Sequence, residues 1–227
     1  MIILTGASGG IGKEILPYLL TIDKVIGIYN KTEPQLVANK ELIYEQLNLG
    51  NSAEIQALVC KWRDKLSKIT LIHFAALNVD NITANYTDDD WDRVMEVNLK
   101  GNFLLTKALL PHMIKERWGR IIHISSHVAL NGNVGTIAYS TSKAGLMGMS
   151  RVLAKEHARF NVTSNILVLG YFEVGLYNKL SEDLKKTILN QIPTKTLGKT
   201  SDIINAIEFL MKSPYVNGTA INIDGGI

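Results

Sequence analysis

The chain has 227 residues, of which 46% are hydrophobic and 20% are charged, and its formal net charge is +3. This length is typical of one large α/β domain, and the apolar content excludes a disordered protein. The small net charge and the lack of a dense lysine or arginine tract argue against a nucleic-acid partner.

The cysteine content and the length of the apolar runs indicate the cellular compartment to expect for this protein. Cys60 is the only cysteine, which excludes an internal disulfide and a cysteine-based metal cluster and fits a reducing compartment. No uninterrupted apolar stretch is long enough to cross a bilayer, and the first residues lack the pattern of a signal peptide. We therefore expect a cytoplasmic protein with no metal and no membrane partner.

Short β-rich runs alternate with longer amphipathic runs from one end of the chain to the other. Strands are predicted at Ile2–Thr5, Val25–Tyr29, Leu42–Gln46, Thr70–His73, Arg120–Ser125, Thr163–Leu169 and Ala220–Ile223. Helices are predicted at Ile11–Leu20, Ser52–Leu66, Trp91–Ile114, Tyr139–Ala158 and Asp202–Met211. This alternation is typical of an α/β fold with a doubly wound parallel sheet, here of about seven strands, and helices on both faces. We expect a single domain over residues 1–227. The alternation of strands and helices is interrupted only at about residues 170–200.

A glycine-rich turn joins the first strand to the first helix. Gly6, Gly10 and Gly12 are spaced G-x-x-x-G-x-G. Glycines allow a backbone to approach a pyrophosphate closely, and a helix N-terminus offers free N–H groups to an anion. Glycines also cluster in ordinary turns, but the place of this cluster between strand and helix favours a nucleotide site, which would include Ser8 and Ile11.

The end of the second strand bears on the choice of nucleotide. In NAD-binding domains an acidic residue at this position accepts hydrogen bonds from the ribose, and it would repel a 2′-phosphate. Here the sequence is Tyr29-Asn30-Lys31, with no acid and one cation. We therefore favour NADP(H) over NAD(H), with Asn30 and Lys31 beside the phosphate. The alternative is that Lys31 is a solvated loop lysine.

Tyr139 and Lys143 lie four residues apart at the start of a predicted helix. This spacing places both side chains on one face of the helix. A tyrosine normally titrates near pH ~10, and a nearby positive charge lowers that pKa. The pair therefore predicts an acid/base device, although a solvent-facing helix can carry the same spacing by chance.

Taken together, the glycine turn and the Tyr139/Lys143 pair resemble the short-chain dehydrogenase/reductase family. Thr5–Gly12 matches its T-G-x-x-x-G-x-G motif, and Tyr139–Lys143 matches its Y-x-x-x-K motif. Ser126, Asn98 and the closing segment Asn222–Gly226 match further family positions in the same order. The resemblance covers essentially the whole chain and implies a Rossmann-type domain that binds NAD(P).

The resemblance also implies a catalytic set. Tyr139 would exchange a proton with the carbonyl oxygen as hydride is transferred, and Lys143 would lower its pKa and hold the ribose. Ser126 would hydrogen-bond the developing oxyanion, and Asn98 would support a water linked to the lysine. Ser126 as a mere strand-end residue, and Asn98 as a polar residue that bends its helix, are the structural alternatives.

Several positions depart from the family pattern. The family's N-N-A-G is His73-Phe74-Ala75-Ala76 here, so a bracing asparagine is missing, while Ala75 and Ala76 keep room for the adenosine. We expect His73 to be a packed strand residue. An acid beside the adenine is replaced by Asn48, next to Leu49, and both are expected to contact the cofactor. The family usually has a proline-glycine pair after the sixth strand; here the pair is Leu169-Gly170, so only the glycine is kept. Val174 stands where a threonine often meets the nicotinamide, so cofactor contacts there would depend on backbone groups.

Among subfamilies the chain is most similar to 3-oxoacyl-acyl-carrier-protein reductases, in Gly119–Ile122, Tyr139–Gly145 and Ile192-Pro193. That resemblance implies an NADPH-dependent enzyme that reduces a carbonyl to a secondary alcohol. The implied substrate is a 3-oxoacyl thioester carried on acyl carrier protein, or a small molecule. Arg117 and Arg159, expected near the mouth of the site, could dock an acidic carrier or could be solvated surface arginines.

The alternatives are an enzyme acting on a sugar or another small secondary alcohol, and a catalytically silent nucleotide-binding protein. The segment at about residues 170–200 would form a substrate lid, with Tyr171, Phe172 and Tyr177 among its apolar residues. Family members are usually homotetramers, here through Asn102–Met113 and Ala144–His157.

Overall fold

A computed structural model describes residues 1–34, 39–174, 177 and 181–227. All seven predicted strands are present, with ends that differ by at most one residue. They are β1 Ile2–Thr5, β2 Val25–Tyr29, β3 Leu42–Gln46, β4 Ile69–His73, β5 Gly119–Ser126, β6 Val162–Leu169 and β7 Ala220–Ile223.

Helices connect the strands. The α-helices are α1 Gly10–Ile22, α2 Ser52–Trp62, α3 Asp88–Met95, α4 Gly101–Glu116, α5 Val128–Asn131, α6 Ile137–His157, α7 Glu182–Gln191 and α8 Thr200–Lys212. A π-helical turn, Glu96–Lys100, joins α3 to α4, and short 3-10 turns lie at Thr83–Asn85 and Ala158–Phe160.

The strands form one parallel sheet in the order β3-β2-β1-β4-β5-β6-β7. The chain runs outward from β1 through β2 to β3 and then crosses back to β4 on the other side of β1. In such a sheet the crevice outside the carboxyl ends of the strands at this reversal is where ligands bind. The glycine turn leaves β1 at that crevice, and Ala75 follows β4 there.

Helices cover both faces of the sheet, because alternate residues of each strand face opposite sides. Ile2 and Leu4 lie in a buried cluster with residues of α1 and α8. Ile3 lies in a second cluster with residues of α2 and α4. Leu146 of α6 packs on β6 on that second side. Burial on both faces explains why the strands read as nearly continuous apolar runs, and it confirms the predicted Rossmann-type fold.

Some predicted boundaries were wrong. The predicted helix Trp91–Ile114 begins earlier, because the Thr87 hydroxyl caps α3 by accepting from the Asp90 N–H. The predicted helix Ser52–Leu66 ends at Trp62.

Helix α7 lies inside the segment predicted as a lid, where no helix was expected, and Ser181 caps it. Five positions of the lid prediction, 175, 176 and 178–180, lie outside the described residues.

No helix in the part of the chain that the structure describes is long and apolar enough to cross a membrane. Within the same residues, no group of three histidine, cysteine, aspartate or glutamate side chains could hold a metal ion.

Candidate active site

The glycine turn packs backbone against backbone at the carboxyl ends of β1 and β4. Gly6 has a φ of +72°, and a Cβ at this position would lie 2.7 Å from the Ala75 nitrogen. A Cβ on Gly12 would lie 2.1 Å from the Gly6 carbonyl oxygen. The Ala75 N–H is held by the Thr5 hydroxyl at 3.1 Å. Only glycine fits at either position, so the turn is built for close approach of backbones.

The N-terminus of α1 is open to an anion. Its N-cap residue is Gly9, which provides no side-chain cap, and its first turn contains no acidic residue. By contrast, Asn51 caps α2 and Thr87 caps α3. The free N–H groups and the positive end of the helix dipole at α1 therefore fit the pyrophosphate of a dinucleotide. Ser8, Gly10 and Ile11 lie in this same loop and first turn, as predicted.

The residues predicted for the adenosine end lie on the same edge of the sheet. Asn30 and Lys31 are exposed after β2, and the Asn30 carbonyl accepts from the Gln46 side chain at 2.8 Å. Asn48 is exposed after β3, and its side-chain oxygen accepts from the Gly50 N–H at 3.1 Å. Leu49 is buried, Ala75 is partly buried and Ala76 is exposed.

Asn98 lies in the π-helical turn and is fully buried. Its side-chain oxygen accepts from the Leu77 N–H at 2.7 Å, and its side-chain nitrogen donates to the Leu77 carbonyl at 2.8 Å. The same nitrogen also donates to the Ser142 hydroxyl at 3.1 Å, and Ser142 donates to the Tyr139 carbonyl at 2.7 Å. Asn98 therefore joins the loop after β4 to the first turn of α6. It is more than a residue that bends its helix.

Ser126, Tyr139 and Lys143 meet where β5 ends and α6 begins. Ser126 is the last residue of β5; its hydroxyl accepts from the Val128 N–H at 3.4 Å and lowers the pKa of the Tyr139 phenol. Lys143 is 2% exposed, and its ammonium group donates to the Ile124 carbonyl at 2.7 Å. The neighbouring Ser125 donates to the Lys143 carbonyl at 3.0 Å, which ties β5 to α6. The structure thus brings together the four residues predicted as a catalytic set.

The pKa of Tyr139 shifts in the opposite direction to the one predicted. Burial raises the pKa of Tyr139 to about 12, while the interaction with Ser126 lowers it and Asp80 raises it further. Burial also lowers the pKa of Lys143 to about 8. The expectation that Lys143 lowers the pKa of Tyr139 is wrong for the chain alone, because removal of the phenol from water is the larger effect.

The end of β6 closes the site on its other side. A Cβ on Gly170 would lie 2.7 Å from the Asp224 Cα, and the Gly170 N–H donates to the Ile223 carbonyl at 2.9 Å. Val174 is half-buried and packs against the apolar cluster of α1 and α8.

An aromatic contact beside Ser126 escaped the sequence analysis. The rings of His127 and Tyr171 lie 4.8 Å apart, and burial lowers the pKa of His127. The only sign of this contact in the sequence is that His127 directly follows Ser126, a predicted site residue.

Arg117 and Arg159 do not lie at the mouth of the site within one chain, which corrects the prediction. They precede β5 and β6, so they occupy the amino-terminal edge of the sheet, whereas the site lies at the carboxyl-terminal edge. The eight residues of β5 separate the two edges by roughly 26 Å. The Arg117 side chain donates to the Arg159 carbonyl at 3.0 Å, so the two arginines do lie together.

Known proteins are similar to this chain over nearly its whole length. A family model described as short chain dehydrogenase matches residues 1–185. Nodulation protein G of Rhizobium sp. (strain N33) is 34% identical, covering 99% of this chain and 95% of that protein. The 3-oxoacyl-acyl-carrier-protein reductase of Rickettsia felis is 35% identical, with the same coverage. That of Escherichia coli (strain K12) is 34% identical, covering 99% of this chain and 96% of that protein. The chain therefore belongs to the short-chain dehydrogenase family, and it is an NAD(P)-dependent oxidoreductase.

Proposed function

We propose that this protein uses NADPH to reduce a 3-oxoacyl thioester carried on acyl carrier protein to the 3-hydroxyacyl thioester. The observation that supports carbonyl chemistry is that Ser126, Tyr139 and Lys143 lie where β5 ends and α6 begins, at the same edge of the sheet as the glycine turn. The choice of substrate rests on the relatives named as 3-oxoacyl-acyl-carrier-protein reductases, at 34–35% identity.

The cofactor would be held from the glycine turn to the end of β2. The N–H groups at the start of α1 bind the pyrophosphate, and the exposed ammonium group of Lys31 pairs with the 2′-phosphate. Asn48, Leu49, Ala75 and Ala76 line the adenosine, and Gly170 and Val174 approach the nicotinamide. When bound, the nicotinamide supplies the hydride that adds to the carbonyl carbon.

The proton comes from Tyr139. The phenol is protonated at neutral pH, so it can donate to the carbonyl oxygen as negative charge develops there. The Ser126 hydroxyl donates a second hydrogen bond to the same oxygen. The carbonyl carbon gains the hydride and the oxygen gains the proton, which gives a secondary alcohol. Lys143 holds the ribose, and Asn98 fixes the turn that carries Tyr139.

The test is oxidation of NADPH by the purified protein with three kinds of carbonyl compound. We expect turnover with acetoacetyl-acyl-carrier protein, weaker turnover with acetoacetyl-coenzyme A, and little with simple sugars or small ketones. Faster turnover of a sugar or small ketone than of either thioester would contradict the proposed substrate. Tight cofactor binding without turnover of any carbonyl compound would indicate a silent nucleotide-binding protein.

A further inference from the structure

Two histidines are stacked inside the mostly apolar layer between the sheet and α4. His73 of β4 and His123 of β5 are register partners, and their rings lie 5.1 Å apart at an angle of 3°. They are 1% and 0% exposed. Buried imidazoles in such a layer are costly unless their nitrogens find hydrogen-bond partners. Their bonding therefore indicates what they do.

His123 connects to Asn98 through one side chain. Its Nδ1 lies 3.3 Å from the Asn102 side-chain oxygen, and the Asn102 side-chain nitrogen donates to the Asn98 main-chain carbonyl at 2.8 Å. A carbonyl oxygen can only accept, so this bond fixes which way the Asn102 amide points. The Asn102 oxygen therefore faces His123, and Nδ1 must carry the imidazole proton.

His73 belongs to a separate branch. Its Nε2 lies 3.0 Å from the Thr106 hydroxyl, one helical turn beyond Asn102 on α4. No bond in the described part of the chain leads from this branch to Asn98. The two branches are alike in burial, and each joins a strand to α4, but they differ in whether they reach Asn98.

Each of the two histidines makes only one side-chain hydrogen bond among the described residues. The remaining nitrogens, His73 Nδ1 and His123 Nε2, have no hydrogen-bond partner among the described residues. A buried polar atom without a partner destabilises a fold, and an apolar residue at position 123 would avoid that cost.

The charged and titratable groups that face His123 are Lys143 and His73. Burial, and then the charge of Lys143, lower the pKa of His123 to about 3. The imidazole thus stays neutral and keeps its bonding over the working pH range.

We propose that His123 and Asn102 are positioning residues that hold the Asn98 carbonyl and, through the Asn98 side chain, the turn that carries Tyr139. They touch neither substrate nor cofactor. This inference rests on the proposed function, because it assumes that Asn98, Tyr139 and Lys143 act in the reaction.

The kinetic test compares the two branches. Asn102→Leu and His123→Leu should lower kcat roughly 10- to 100-fold, since displacements of about 1 Å at a reacting group have effects of this size. KM for NADPH should stay unchanged. His123→Asn places an amide nitrogen where Nδ1 stands, so it should restore kcat toward the wild-type value. Thr106→Val, which breaks the other branch, should lower the melting temperature and leave kcat unchanged.

Wild-type kcat in both leucine variants, or an equal loss of kcat in Thr106→Val, would overturn the proposal. If His123→Leu fails to fold, the kcat of Asn102→Leu and the tautomer of His123 in the wild-type protein still test the proposal. Nitrogen NMR of the histidine-labelled protein should show His123 protonated at Nδ1, and protonation at Nε2 would overturn the bonding scheme.

Tyr139→Phe separates this inference from the proposed function. Full activity in Tyr139→Phe would contradict the proposed function itself. An inactive Tyr139→Phe beside a fully active Asn102→Leu would contradict only the positioning role.

Discussion

The ammonium nitrogen of Lys143 lies 5.6 Å from the ring centroid of Tyr139 and donates to the Ile124 carbonyl. The cation therefore sits beside the face of the ring, and its strongest bond goes to the backbone of β5. Burial is then the larger influence on both groups: the pKa of Tyr139 rises to about 12 and that of Lys143 falls to about 8. Removal of both groups from water, and not their attraction for each other, therefore has the larger effect on the two pKa values in the chain alone.

The first prediction concerns the proton donor. Tyr139→Phe should fold normally and bind NADPH, but kcat should fall roughly 100- to 10,000-fold, the usual contribution of general acid catalysis. Steady-state kinetics, a thermal melt and cofactor fluorescence measure the three quantities. Tyr18→Phe is the matched control, because Tyr18 donates to Glu208 on the opposite side of the molecule. Reductase activity near the wild-type level in Tyr139→Phe would contradict the assignment.

Lys143 should reduce the stability of the fold. Its pKa is lowered from 10.5 to about 8, so the unfolded chain binds a proton more tightly than the folded one between these values. The free energy of unfolding should therefore rise with pH from about 8 to 10.5 on account of this group. Below pH 8 the full penalty is present, roughly 3 kcal/mol.

Lys143→Met removes the charge and keeps the length of the side chain. It should stabilise the protein at neutral pH by roughly 2 kcal/mol, after about 1 kcal/mol is lost at the unpaired Ile124 carbonyl, and it should abolish turnover. Denaturant unfolding of both proteins from neutral pH to about pH 10 measures the difference, which should shrink as pH rises. A variant that is less stable than the wild type throughout this range would contradict the role of burial.

The sequence was sufficient for features that depend on local pattern. The strands follow from short apolar runs, the glycine turn from its place between β1 and α1, and the Tyr139/Lys143 pair from helical spacing. The directions of the pKa shifts could not be predicted, because the burial of Tyr139 and Lys143 depends on how α6 packs on β5.

Non-local register explains what else was missed. His73 was expected to be a packed strand residue, and it is buried, but its stacking on His123 depends on the alignment of β4 with β5. The edge of the sheet that Arg117 and Arg159 occupy could have been predicted from the direction of the strands, because both residues precede strands whose carboxyl ends lead to the site. The position of a residue relative to its strand therefore bears on which edge of a parallel sheet it occupies.

The glycine turn should tolerate very little added volume. Gly12→Ala places a Cβ 2.1 Å from the Gly6 carbonyl oxygen, so the backbone must shift, at a cost of about 3 kcal/mol or more. NADPH affinity should fall with it. In Gly9→Ala the added Cβ would lie 3.1 Å from the Gly6 carbonyl oxygen, so a small adjustment suffices. The loss of folding stability should stay below about 1 kcal/mol. Thermal melts and cofactor titrations of both variants measure this, and equal losses in the two would contradict the packing argument.

The proposed preference for NADPH should depend on Lys31. Its ammonium group is exposed after β2, so Lys31→Ala removes a charge without disturbing the core. A hydrogen bond to a charged group contributes about 1.5–3 kcal/mol, so the Kd for NADPH should rise roughly tenfold or more, while the Kd for NADH should not change. Lys24→Ala is the control, because Lys24 precedes β2 and lies at the other edge of the sheet. Titration of each variant with both nucleotides measures the two Kd values. If the Kd values for NADPH and NADH change equally, or if neither changes, the 2′-phosphate is not bound at Lys31 and this residue is a solvated loop lysine.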